Sequence, residues 1–294
     1  MAAPTAFAPA KVNLYLHVGA PDADGFHPLS SLMTFADVGD QLSMRPADAI
    51  GLEINGPFAR GLSASDDNLV LRAAKAIVAR VPGPRASFHL TLTKTLPLAA
   101  GLGGGSSDAG AALRLLRDAL KVGLSDAELG GIAGELGSDG PACLFARTVI
   151  AEGRGERLSP APGFPVLDAV LVNPRVASPT GAVYRGFDEM GARGGADRPN
   201  LPTAFETAEE MAGFLGTCRN DLETPAVRLT PLIGEVLDTL RDEPETLLAR
   251  LSGSGATCFA LCAGDIEAEG LAERLERMRP DWWVRRCRLG GNWI

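Results

Sequence analysis

Residues 97–108 read PLAAGLGGGSSD, with Gly101 and Gly103 to Gly105 inside five positions and Ser106, Ser107 and Asp108 directly after them. Glycine loses more backbone freedom on folding than any other residue, so such a cluster implies a special conformation or a close approach. Apolar residues precede it and an alanine-rich helical pattern follows, which puts Gly103 to Ser107 at a helix N-terminus. Unpaired N–H groups and the positive end of the helix dipole meet there, and together they make an anion site. Ser106 and Ser107 offer hydroxyl donors or a magnesium ligand, while Asp108 suits the first helical turn without any ligand. The spacing excludes two common phosphate motifs. There is no GxxxxGK followed by Ser or Thr, and the third glycine of a GxGxxG would fall on Ser106 or Asp108. A second loop, LSGSGAT at 251–257, reads alone as a turn, but two such loops favour an enclosed phosphate site.

Two other side chains are of catalytic type. Asp139 stands in GSDGP, between a helix end and a new helix opened by Pro141, where an aspartate is often just an N-cap. Lys11 and Asn13, two apart on an alternating segment, point to the same side and can reach one ligand. A lysine at a solvated strand start looks the same. On the residues alone, the capping and solvated-lysine readings stand beside the catalytic ones.

These groups need elements to hold them. Residues 7–18 alternate, with Val12, Leu14, Leu16 and Val18 on one face and Lys11, Asn13, Tyr15 and His17 on the other, which predicts a half-buried strand with a polar face. Residues 86–94 alternate too, with Lys94 ending the face of Phe88, Leu90 and Leu92. Residues 66–80 predict a helix capped by Asp66 or Asp67 and stopped by Pro82-Gly83-Pro84. Residues 107–120 predict another, and Ser125 to Glu128 form a capping box for a third. Segments 221–240 and 265–279 read as helical, 166–173 and 281–288 as strands, and 186–200 as a long loop. His17 and His89 read as structural, and Arg285 and Arg286 as a solvated edge.

The 294 residues suit one large domain or two of ordinary size, with 46% hydrophobic residues to build a core. A net charge of −8 argues against non-specific nucleic-acid binding. Five widely spaced cysteines and three histidines form no zinc or disulfide pattern, so buried thiols in a reducing cytoplasm are expected. No apolar run is long enough for a membrane span, and no signal peptide is read at the start. A homodimer stays open.

PAKVNLYLHV, PLAAGLGGGSSDAGAAL and LSGSGATCFAL, in that order from about residue 7 to residue 265, resemble the GHMP kinase superfamily, which phosphorylates small alcohols and acids. AKVNLYLHVGAPDADGFHPLSSLM, GSDGPACL, SPTGAVY and RNDLE look more narrowly like the 4-diphosphocytidyl-2-C-methyl-D-erythritol kinase family. Phe26 stands where DGYH is usual there, and Gly140 where GSDVP is usual.

The resemblance implies an α+β, two-domain GHMP kinase architecture. An S5-like N-terminal domain (1–155) would carry the ATP phosphate loop, and a ferredoxin-like domain (156–294) would close the site. It implies ATP and Mg2+ as cofactors and phosphorylation of the 2-hydroxyl of 4-diphosphocytidyl-2-C-methyl-D-erythritol, in non-mevalonate isoprenoid synthesis. Asp139 would be the base and Lys11 its partner cation. Asn13, Phe26, His27 and Tyr184 would hold the substrate, the aromatic side chains taking the cytosine. Leu98, Ala99, Ala100, Gly101, Leu102, Gly103, Gly104, Gly105, Ser106 and Ser107 would hold ATP, with Lys94 and Asn68 near the adenine or ribose. The metal ligands are not implied. Competing expectations are a mevalonate-, phosphomevalonate- or homoserine-type kinase, and a ligand sensor without catalysis.

Overall fold

The alternation at 7–18 forms a strand, β1 (Thr5–Val18), antiparallel to the 18-residue strand β2 (Leu29–Pro46). The computed structural model describes residues 3–80, 86–191 and 195–294. Around this pair a first sheet gathers β3 (Gly51–Asn55), β4 (Phe88–Thr93), β5 (Val149–Gly153) and β6 (Arg157–Pro160). Helices α1 (Leu69–Val78), α2 (Gly104–Ala119) and α3 (Asp126–Leu136) pack on it through Val70, Ile77, Leu113, Leu116 and Ile132, which meet Phe88, Leu90 and Leu92 of β4. The short α4 (Gly140–Phe145) follows α3 directly.

A second sheet holds β7 (Leu167–Asn173), β8 (Leu248–Leu251), β9 (Cys258–Leu261) and β10 (Trp283–Leu289), in the order β10-β7-β9-β8 with every neighbour antiparallel. Helices α5 (Thr180–Glu189), α6 (Ala208–Gly216), α7 (Glu223–Leu229) and α8 (Pro231–Asp242) lie between β7 and β8, and α9 (Asp265–Met278) lies between β9 and β10. That order and connection are those of the split βαβ, or ferredoxin-like, unit. Leu289 pairs with Ala36 of β2, so the two sheets join along one edge. The first sheet ends at Pro160 and the second begins at Leu167. The expected boundary at 155/156 falls in the β5–β6 turn, so we propose that the division lies at 161–166.

Several local expectations change. β1 has no solvated face: Lys11, Asn13 and His17 are buried along with their apolar neighbours, because loops and helices from both halves cover the strand. The α1 cap is Asn68, whose side chain accepts from the Val70 N–H, not Asp66 or Asp67. The stop at Pro82 to Pro84 lies outside the described residues. The loop expected from 186 starts later, since α5 runs to Glu189. Helix 221–240 is two helices, broken at Thr230-Pro231 because proline suits a first turn, not a helix interior. The capping box of Ser125 and Glu128 is present. All five cysteines are free and buried.

Arg250 of β8 joins the halves. Its buried guanidinium donates to the carbonyls of Leu14, Leu215 and Cys218 at 2.8–2.9 Å, binding β1 to the end of α6. Arg250→Met removes a charged donor from each of three buried carbonyls, of which Leu215 O keeps the Cys218 N–H, at roughly 1 kcal/mol or more each. We expect a stability loss of about 3 kcal/mol in chemical unfolding; an unchanged midpoint would show that Arg250 does not join the halves.

Candidate active site

The glycine cluster turns the chain from the first sheet into α2, and its shape is set by what touches it. Gly101 has φ +74°, and a β-carbon there would lie 2.1 Å from the carbonyl oxygen of Ser252. The second glycine loop therefore docks on the first. Ser252 Oγ donates to Gly101 O at 2.9 Å and accepts from Asn13 N, and Thr257 N donates to Ala100 O. Gly103 is the N-cap of α2 with φ +62°, and a β-carbon there would crowd Lys11 Cε at 3.1 Å. Ala99, Gly101, Gly103, Gly104, Gly105 and Ser106 line a cleft of about 870 Å³, so the free N–H groups of the first turn of α2 open onto it.

Lys11 and Asp139 meet in that cleft, with Nζ 3.1 Å from Oδ2. Lys11 also donates to Asn13 Oδ1 at 2.7 Å, and Asn13 donates to Ser31 Oγ at 2.7 Å, so the ammonium is held from the strand side. Asp139 occupies the N-cap position of α4 but its side chain makes no capping hydrogen bond. The carboxylate turns instead toward Lys11 and remains 29% exposed. The side-chain cap that the sequence also offered is absent. A carboxylate beside an ammonium, near a helix N-terminus and open to solvent on one side, can accept a proton from a hydroxyl while the cations hold negative charge.

The third wall is aromatic. His27 and Tyr184 pack with ring centroids 4.9 Å apart and planes tilted by 45°, and Phe187 meets His27 edge-on at 5.8 Å. His27 Nε2 bonds Asp188 at 2.7 Å. Burial, with the Asp139 charge adding to it, pushes the Tyr184 hydroxyl up to about 12. Phe26 is 54% exposed at the cleft mouth.

Six residues of the expected nucleotide set face elsewhere. Lys94 is buried, with its ammonium 2.5 Å from Asp40 and 2.7 Å from Asp108. Burial opposes its charge, but the two carboxylates outweigh it and raise the lysine above its ordinary range. The Nζ lies 3.0 Å from where a β-carbon on Gly104 would stand, so Lys94 supports the glycine loop from behind. Asp108, read as a helix-start acid, is this buried partner, and its Oδ1 has no hydrogen-bond partner. Burial pushes its carboxyl up to about 7. Ser107 is fully buried and donates to Pro9 O at 2.6 Å, so its hydroxyl is not open to phosphate or metal. Asn68 is committed to capping α1 and to Ser63 O. Ala100 and Leu102 are buried, their carbonyls taken by Thr257 and Lys11 N–H groups, and Leu98 lies off the cleft lining.

Reasoning from sequence missed Leu69, Ser138, Arg154, Thr180, Arg185 and Asp188, which also line the cleft. SPTGAVY pointed to the region of Thr180, whereas Arg154 sits in a charged turn with no distinguishing pattern. Among the described residues no three His, Cys, Asp or Glu side chains gather to hold a metal ion, and no helix is long and apolar enough to cross a membrane.

The family model for the GHMP kinases N terminal domain matches residues 68–147, and that for the GHMP kinases C terminal matches 199–281. The chain is 66% identical over 286 residues to a 4-diphosphocytidyl-2-C-methyl-D-erythritol kinase of Caulobacter vibrioides (strain NA1000 / CB15N), covering 97% of this chain and 99% of that one. A crystal structure of 4-(cytidine 5'-diphospho)-2C-methyl-D-erythritol kinase superposes with a TM-score of 0.79 at 34% identity, covering 98% and 99% of the two chains. The mevalonate kinase of Methanococcus jannaschii shares the fold at a TM-score of 0.71 and 13% identity, covering 99% of both chains.

The loop contact gives a contrast between two glycines. Gly101→Ala must push the Ser252 carbonyl away, whereas a β-carbon on Gly123 meets nothing within 4 Å. We expect Gly101→Ala to lower the melting temperature and to weaken ATP-analogue binding at least ~10-fold, as loss of a well-placed anion contact of ~1.4 kcal/mol would do. Gly123→Ala should leave both unchanged. Equal behaviour of the two variants in calorimetry would contradict the docked-loop geometry.

Proposed function

The chain belongs to the GHMP kinases, within the group of its 4-diphosphocytidyl-2-C-methyl-D-erythritol kinase relatives, and on that premise we propose that it phosphorylates the 2-hydroxyl of 4-diphosphocytidyl-2-C-methyl-D-erythritol with ATP. The observation that carries the reading is the Asp139 carboxylate, uncommitted to any cap and 3.1 Å from Lys11, between the glycine loop and the His27–Tyr184 wall.

In this reading the substrate hydroxyl lies at Asp139, which takes its proton as the oxygen attacks the γ-phosphorus of ATP in line with the departing ADP. Lys11, steadied by Asn13, holds the negative charge that develops on the transferred group. The N-terminal turn of α2 binds the phosphates through its backbone N–H groups. Most of the rate then comes from positioning and charge stabilisation. Mg2+ would neutralise the nucleotide phosphates, with Ser106 the one serine of the expected pair that opens onto the cleft. The cytosine would lie against Phe26, His27 and Tyr184, where flat rings give a stacking surface and the imidazole gives an edge to hydrogen-bond. The reading also takes the enzyme to be cytoplasmic and to act in the non-mevalonate isoprenoid route, as a monomer or a homodimer.

The test is ADP release with a panel of alcohols. We expect turnover of the cytidyl substrate and none of mevalonate, phosphomevalonate or homoserine. Removing the cytidyl group, to give methylerythritol phosphate, should lower kcat/KM by about 10- to 100-fold, the worth of one stacked base. Equal use of methylerythritol phosphate would refute the roles of Phe26, His27 and Tyr184. Turnover of mevalonate or homoserine in place of the cytidyl compound would overturn the substrate.

A further inference from the structure

Arg154 lies at the tip of the β5–β6 turn, between Gly153 and Gly155, and lines the cleft. Its guanidinium carbon sits 4.1 Å from the centroid of the Phe26 ring. The same group donates to Asp22 Oδ2 at 2.7 Å and to Asp24 Oδ2 at 3.0 Å. Asp22 in turn organises the loop that carries Phe26. Its other oxygen accepts from the N–H groups of Asp24 and Phe26, and its own N–H donates to Phe26 O at 2.7 Å. The guanidinium hydrogen bond holds the Asp22 carboxyl below the usual carboxylate range.

A planar guanidinium stacks on an aromatic face, and it covers one face only. Phe26 keeps an exposed surface, and a phenyl ring without a hydroxyl has no hydrogen bond of its own to fix its tilt. From this geometry we infer that Arg154 is a positioning residue for nucleobase recognition: it backs one face of Phe26 and braces the 22–26 loop so that the other face receives the pyrimidine. Its charge is met by Asp22 and Asp24, so it acts through Phe26 and not by gripping the substrate's phosphates. The inference rests on the cytidyl reading above.

The experiment is a double-mutant cycle on the full chain, with Arg154→Met, Phe26→Ala and the pair, and titration calorimetry of cytidine 5'-diphosphate and of an ATP analogue. Arg154→Met should weaken cytidine diphosphate binding about five-fold, the worth of one exposed cation–π contact near 1 kcal/mol. ATP-analogue binding and kcat should stay within about two-fold of wild type. In the Phe26→Ala background, Arg154→Met should add less than two-fold, because its target is already gone. An Arg154→Met variant that binds cytidine diphosphate like wild type overturns the inference. So does a full five-fold loss that persists without Phe26, which would make Arg154 a direct phosphate contact. A wild-type enzyme that fails to bind cytidine diphosphate but phosphorylates another alcohol overturns the substrate reading itself.

Discussion

The site depends on one close contact. Two glycine loops from opposite halves of the chain meet with Gly101 against the Ser252 carbonyl, at a separation that admits no β-carbon. Ser252 ties the first loop to β1, donating to Gly101 O and accepting from Asn13 N. Asn13 is also the residue that holds Lys11. A single contact thus fixes the first glycine loop, the strand carrying Lys11, and the second domain's approach to the cleft. Arg250 completes this join beneath it, by satisfying carbonyls from both halves.

Two lysines near this loop meet different electrostatic fates. Lys94 lies behind it, buried between two carboxylates, where removing either partner would leave charge stranded in a dry interior. It acts as a strut under α2 and Gly104. Lys11 lies in front, paired with one carboxylate that keeps an open side. A single exposed acid leaves the Lys11 ammonium and the Asp139 oxygens reachable by a ligand. The difference between a buried strut and an open pair is therefore the count and burial of the acids around each lysine, not the lysine itself.

Much of the scaffold was legible in the sequence. β1, β4, α2, the capping box at Ser125, α9 and β10 lie close to where periodicity puts them. β2 was not legible, because both its faces are buried over much of its length and LSSLMTFADVGDQLSMRP shows no sustained alternation. Burial of Lys11, Asn13 and Lys94 was hidden for a related reason: a polar side chain on a strand looks solvated until the element that covers it is placed. Asp139 before Gly-Pro has the local signature of a cap, and that its carboxylate turns to Lys11 instead was not legible in the sequence. Arg154 carries no signal, since GRGE reads like any charged hairpin tip and its partners are more than 120 residues away. The resemblance to GHMP kinases supplied residue roles that spacing could not, and what no pattern showed is that the Ser107 and Asn68 side chains are committed to the fold.

The central claim is that Asp139 takes the proton from the acceptor hydroxyl. Rapid-quench measurement of single-turnover phosphoryl transfer by Asp139→Asn, with bound ATP and the cytidyl substrate, tests it most directly. The amide keeps the shape and removes only the basic oxygen, so transfer should fall by at least ~100-fold, the usual contribution of a general base, while nucleotide binding and melting temperature hold. Transfer within a few-fold of wild type would contradict the account and leave Asp139 as no more than a companion charge for Lys11.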